Sequence, residues 1–128
     1  MSKILLVEDD EVESRLYTNL FSKSGFDVVA ISNGEACHTK AIEVQPDVIV
    51  LDIMMPKMNG FETLDVLHFD PATAKIPVII LTNLSDEHYK KEATKRGAVL
   101  FLTKSNVENS ELMQKITDIV SAYSVHSS

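Results

Sequence analysis

Five short apolar runs, Ile4–Val7, Val28–Ile31, Val48–Leu51, Val78–Leu81 and Val99–Leu102, recur at regular spacing, with longer amphipathic segments between them. Each is rich in β-branched residues, which is how a strand covered on both faces of a parallel sheet reads. Parallel neighbours need crossover connections, and these are right-handed almost without exception. The chain is therefore expected to fold as an α/β protein, a three-layer doubly wound (βα)5 sandwich around a five-stranded parallel sheet.

Helix signals fill the intervals. Val12, Leu16, Leu20 and Phe21 recur at helical spacing and Gly25 is placed to end the turn, so a helix from about Glu11 to Ser24 is expected, with those four residues on one stripe. Asn33-Gly34 caps a second helix carrying Ala36, Ala41 and Val44, which must stop before Pro46, with a strand following at Asp47. The segment from Ile53 to Gly60 holds turn formers and no sustained period, and Phe61, Leu64 and Leu67 then mark a third helix. Pro77 is tolerable at the first residue of a strand, while Ser85-Asp86-Glu87 puts a cap and two acids at the start of a fourth helix that Gly97 closes. Leu112, Ile116, Ile119 and Tyr123 form the stripe of the last one. The expected domain spans residues 1–123, with 124–128 a short polar tail.

At 128 residues there is material for one core and too little for two. A net charge of -7, with no clustered basic face, argues against direct nucleic-acid binding. No cationic leader and no apolar stretch of membrane-spanning length stands in the chain, so no membrane partner is expected and the cytoplasm is the expected location. Cys37 is the only cysteine, which excludes an internal disulfide and a cysteine metal cage and leaves a small buried helix residue.

Three of the runs lead straight into charge: Val7 into Glu8-Asp9-Asp10, Leu51 into Asp52, and Leu102-Thr103 into Lys104. In the strand order 2-1-3-4-5, the flavodoxin-like arrangement, the topological switch point lies between strands one and three, and ligands sit just beyond the carboxyl ends. Glu8, Asp9 and Asp52 fall there, with Thr82 and Lys104 at neighbouring strand ends. Carboxylates gathered in this way repel unless a cation joins them, and an all-oxygen donor set suits Mg²⁺. The plainer alternative is a row of solvated strand ends.

In Val7-Glu8-Asp9, in Asp52-Ile53-Met54-Met55-Pro56-Lys57-Met58-Asn59-Gly60, in Leu81-Thr82 and in Leu102-Thr103-Lys104, the chain resembles the receiver domain of two-component response regulators, and the resemblance covers essentially its whole length. It implies a phosphorylatable signalling switch and no enzyme beyond Mg²⁺-dependent self-phosphorylation and slow self-dephosphorylation. Carried over residue by residue, it makes Asp52 the acceptor of a phosphoryl group from a phosphohistidine on a histidine kinase or histidine phosphotransfer protein. Glu8, Asp9, Asp52 and the Met54 carbonyl become the Mg²⁺ ligands, Lys104 the second cation, and Thr82 and Phe101 the switch pair. Output would pass to a downstream effector protein through the surface of helix four, strand five and helix five.

The chain also departs from the family pattern. Ser105 follows the lysine where the family usually has proline with a cis bond; a cis bond costs about 2.5–4 kcal/mol without proline, so the isomer stays open. Asn83 is bulkier than the usual residue after the threonine, and Phe101 lacks the hydroxyl of the more familiar tyrosine. Met54 and Leu84, two beyond Asp52 and Thr82, are both apolar and cannot orient an attacking water, which implies a long-lived acyl phosphate.

Two other readings stand beside this one. A Mg²⁺-dependent phosphohydrolase with Asp52 as nucleophile lacks the second aspartate two residues on, and a receiver-like interaction module would need no phosphate at all. His38, His68, His88 and His126 lack metal spacing and read as surface or helix-flank residues. Met54, Met55 and Met58 read as gap fillers rather than soft-metal ligands. Lys90, Lys91, Lys95 and Arg96 read as a solvated basic helix face, with partner docking as the alternative.

Overall fold

The computed structural model describes residues 1–54 and 59–124. The expectations for Met55, Met58, His126 and the tail beyond residue 124 lie outside them. Strands β1 (Lys3–Val7), β2 (Asp27–Ile31), β3 (Val48–Leu51), β4 (Val78–Thr82) and β5 (Leu100–Thr103) alternate with helices α1 (Glu11–Lys23), α2 (Cys37–Val44), α3 (Gly60–Phe69), α4 (Glu87–Lys95) and α5 (Asn109–Ser124). All strands pair in parallel, in the order β2-β1-β3-β4-β5. Among the described residues no helix is long and apolar enough to cross a membrane.

The two-residue period of the strands divides the core between the faces of the sheet. Leu5, Val7, Ile49 and Leu51 pack toward α2, α3 and α4 against Cys37, Leu64 and Ala93. Ile4, Leu6, Val48 and Val50 point the other way, against Phe21 of α1 and Leu112 and Ile116 of α5. Both faces are covered, and β1, β3 and β4 read as continuous apolar runs for that reason. Burial pushes the Cys37 thiol up to about 12, so it behaves as a packed hydrophobe and not as a nucleophile.

Three expectations need correction. On α1, Val12 and Leu16 are 68% and 62% exposed, while Phe21 is fully buried and Tyr17 and Leu20 pack half-buried on the same cluster. The helix turns to bury the stacked Tyr17 and Phe21 rings, 5.9 Å apart, because an aromatic pair removes more apolar surface from water than Val12 and Leu16 would. On α5 Leu112, Ile116 and the half-buried Ile119 pack on the core as expected, but Val120 joins them in the buried stripe and Tyr123 lies at its exposed margin. Arg96 leaves the solvated basic face: its guanidinium lies 5.3 Å from the Phe61 ring centroid and bonds Asp65 at 2.6 Å and Glu92 at 2.7 Å, tying α4 to α3.

The caps follow the sequence closely. Asn33 accepts from the Ala36 N–H at 3.0 Å and starts a 3-10 turn, Gly34–Ala36, ahead of α2, which ends at Gln45 in the left-handed region (φ 48°) just before Pro46. Gly25 and Gly97 take φ of 96° and 108° after α1 and α4, where a side chain would be strained. Asp86, rather than Ser85, caps α4 and accepts from the His88 N–H.

Candidate phosphoacceptor site

Sheet register assembles the site. Val7 lies opposite Leu51, and the next residue on each strand is an acid, so Glu8 and Asp52 emerge side by side at the carboxyl edge. The Glu8 N–H donates to the Ile31 carbonyl and the Asp52 N–H to the Val7 carbonyl, both at 3.1 Å, which continues the ladder one step into the site. Thr82 pairs with Thr103 at the far side of the sheet, and Lys104 follows. Glu8, Asp52 and Thr82 are buried, at 3%, 6% and 0% exposure.

The Lys104 ammonium is the hub. It donates to Glu8 Oε1 at 2.6 Å, to Glu13 Oε1 at 3.0 Å and to Asp52 Oδ2 at 3.1 Å, and it lies 5.9 Å from the Tyr17 ring centroid. The second oxygen of Asp52 accepts from the Met54 N–H at 2.9 Å, and that of Glu8 from the Asp10 N–H at 3.1 Å. Asp10 in turn caps α1 through the Glu13 N–H at 3.0 Å, so one turn of backbone positions both Glu8 and Glu13.

Burial works against the charges of Glu8 and Lys104. It lifts the Glu8 carboxyl to about 7 despite the opposing pull of Lys104 and the Asp10 N–H. It also depresses the Lys104 ammonium, but the bonds to Glu8, Glu13 and Asp52 outweigh it and hold the pKa above an ordinary lysine's. Lys104 thus stays cationic across the neutral range, facing three carboxylates.

Asp9 is exposed and makes none of these contacts. Among the described residues no three acidic, histidine or cysteine side chains already converge as a metal-ligand set, and the cation between Glu8 and Asp52 is the lysine's own. Even so, the donors are carboxylates and a backbone carbonyl, and three carboxylates around one ammonium leave negative charge uncompensated. That arrangement fits a hard divalent cation. Met54 is 58% exposed, Leu84 is half-buried with its N–H 3.4 Å from Thr82 Oγ1, and Phe101 is half-buried beside Ile80. Among the described residues no peptide bond is cis, so Lys104–Ser105 is trans. His38, on the flank of α2, bonds Asp70 at 2.6 Å, away from the site.

Sequence reasoning missed Glu13. Its signal was the spacing Glu13, Tyr17, Phe21, an acid one turn ahead of the buried aromatic stripe, hidden by the more conspicuous Val12 and Leu16.

Five parallel strands in this order, with buried acids, a threonine and a lysine at one edge, define a flavodoxin-like receiver fold. Over residues 4–117 the chain matches the response regulator receiver domain family and belongs to it; it is a phosphorylatable switch domain of two-component and phosphorelay signalling. It is 35% identical to protein PilH of Pseudomonas aeruginosa over 120 residues, 94% of this chain and 98% of PilH. It is 38% identical over 104 residues, 81% of the chain, to the DNA-binding dual master transcriptional regulator RpaA of Synechocystis. The chain spans only 43% of RpaA, and 29% of a matching protein-glutamate methylesterase/protein-glutamine glutaminase of Archaeoglobus fulgidus.

Among solved structures, chemotaxis protein CheY4 of Vibrio cholerae superposes with a TM-score of 0.86 at 25% identity, covering 93% of this chain and 98% of that one. The receiver domain of sensor histidine kinase PA1611 from Pseudomonas aeruginosa, described with a magnesium ion in its active site cleft, gives 0.86 at 21% identity over 94% of this chain and 98% of its own, a likeness of fold alone.

Proposed function

We propose that Asp52 is the phosphoacceptor and that its donor is a phosphohistidine on a histidine kinase or histidine phosphotransfer protein. The observation that carries this reading is the buried Asp52 carboxylate at the carboxyl end of β3, oriented by the Met54 N–H on one oxygen and Lys104 on the other. A carboxylate oxygen forms the bond to phosphorus as the phosphorus–nitrogen bond breaks, and the electron pair returns to the imidazole ring. Phosphoryl transfer asks chiefly for in-line positioning and cations on the equatorial oxygens. Lys104 supplies one, held in its charged form at neutral pH. Glu8, Asp9, Asp52 and the Met54 carbonyl would hold Mg²⁺, which when bound supplies the second positive charge.

Thr82, fully buried at the end of β4, turns its hydroxyl toward the new phosphoryl group, and Phe101 on the neighbouring strand responds to the space it leaves. The effect is a population shift on the surface of α4, β5 and α5, read by a downstream effector protein. Val12 and Leu16, exposed on α1 to either side of Glu13, give the phosphodonor an apolar footing beside the site. The exposed Met54 and the apolar Leu84 offer no group to orient water, so self-dephosphorylation is slow. The setting is the cytoplasm, without direct contact with nucleic acid. Incubation with Mg²⁺ and acetyl phosphate, followed by intact mass, tests the proposal: one added phosphoryl group is expected, and an unchanged mass refutes it.

A further inference from the structure

An ammonium has three N–H donors, and Lys104 spends all three on carboxylates. The bond to Asp52, 3.1 Å, is the longest; those to Glu8 and Glu13, 2.6 Å and 3.0 Å, draw the ammonium toward the β1–α1 side of the site. Glu8 is a proposed metal ligand, fixed also by the Asp10 N–H. Glu13 has no such role. It projects from the first turn of α1, its side chain is 31% exposed against 5% for Lys104, and Tyr17, one turn along, walls the ammonium on the same side.

We propose that Glu13 is a positioning residue that tethers Lys104 away from Asp52 and so slows phosphoryl transfer. The inference rests on Asp52 being the acceptor. During transfer from acetyl phosphate, a carboxylate oxygen of Asp52 bonds to phosphorus as the phosphorus–oxygen bond to acetate breaks and the electron pair leaves with acetate. Lys104 must move one N–H onto a phosphoryl oxygen at that moment. A Glu13 carboxylate that shares its charge and holds its position opposes the move, and a neutral amide of the same shape opposes it less. The plainer role of Glu13, a first-turn acid favoured by the helix dipole, predicts a change in stability and none in transfer. Glu11 is the matched control: it stands in the same turn and pairs with the exposed Arg15 rather than with Lys104.

The test compares phosphorylation rates of the full chain with acetyl phosphate and Mg²⁺. Glu13→Gln is expected to react about fivefold faster than wild type, and Glu11→Gln to stay within about twofold of it. In a Lys104→Met background the Glu13→Gln acceleration disappears, because its target is gone. Separately, with no phosphodonor present, the nitrogen and proton resonances of the Lys104 ammonium are expected to move in Glu13→Gln and not in Glu11→Gln. Unmoved resonances, equal acceleration by Glu11→Gln, or acceleration that survives in Lys104→Met overturns the tether. A wild type that takes no phosphoryl group defeats the acceptor reading and with it any effect on transfer, whereas a wild type that reacts and a Glu13→Gln that reacts no faster overturn the tether alone.

Discussion

Asp47 and Asp52 flank the same strand, β3, and the fold treats them in opposite ways. Asp47, at the amino end, is exposed and accepts the backbone N–H of Lys3 at 2.7 Å, while the Lys3 ammonium turns away to the Val44 carbonyl at 3.1 Å. Asp52, at the carboxyl end, is 6% exposed and meets its lysine through the ammonium itself. Residue type is constant, so position in the sheet makes the difference. Near water a lone acid joins two chain segments and its field is screened within about a nanometre. At the other end Glu8 and Asp52 are buried with Lys104, whose ammonium bonds both of them and Glu13 besides.

The largest expected effect separates the two aspartates outright. Asp52→Asn abolishes the mass added by acetyl phosphate and Asp47→Asn leaves it unchanged; labelling that persists in Asp52→Asn moves the acceptor elsewhere and breaks the comparison.

Next come the lysines. Removing one partner of a buried ion cluster strands the rest, so Lys104→Met is expected to cost about 3 kcal/mol in urea unfolding without metal. Lys3→Met, which leaves the Asp47 bond to the backbone intact, should cost under about 1 kcal/mol. Equal losses would mean that burial does not distinguish the two ends.

Metal sharpens the contrast further. Mg²⁺ at a hundredfold excess over its dissociation constant should stabilise the wild type by about 2.7 kcal/mol, an effect that Asp52→Asn diminishes and Asp47→Asn does not. A thermal melt indifferent to Mg²⁺ sinks the cation assignment.

The last effect, of comparable size, concerns pH. Glu8 titrates at about 7 in the fold against 4.5 for the free side chain, so the folded state binds its proton more tightly. Its contribution to stability is fully present below about pH 4.5 and is lost as pH rises through 7. Without metal, wild-type stability relative to Glu8→Gln should therefore fall by on the order of 3 kcal/mol across that window, since each pKa unit is worth about 1.4 kcal/mol. A flat difference between the two proteins over that range would show that Glu8 is not held as a reluctant acid.

The carboxyl edge was legible because strand ends are marked by the passage from apolar to charged residues, and parallel register brings those marks level. Glu8, Asp52, Thr82 and Lys104 could be placed by reading where each run stops. The expectation weakened wherever a helix had two apolar faces to choose from. On α1 the choice fell to the Tyr17 and Phe21 rings, and the rotation that buried them also swung Glu13 inward to Lys104. Spacing alone does not tell which of two adjacent acids turns inward, and Glu8 does so while Asp9 stays exposed. Arg96 stood in a row of lysines, and only the proximity of Phe61 and Asp65, set by tertiary packing, reveals its different role.

Just beyond β3, the Gly60 N–H at the start of α3 donates to the Ile53 carbonyl at 3.1 Å. A methyl group on Gly60 would land on the backbone and side chain of Ile53, so only glycine closes this clasp. Fastening Ile53 to Gly60 pins the carboxyl end of β3 to the start of α3, so the backbone that carries Asp52 is held from both sides. Substitutions elsewhere in the stretch between them then leave Asp52 where it is. A lineage thus has room to vary its sequence beside a carboxylate whose position is fixed by the fold.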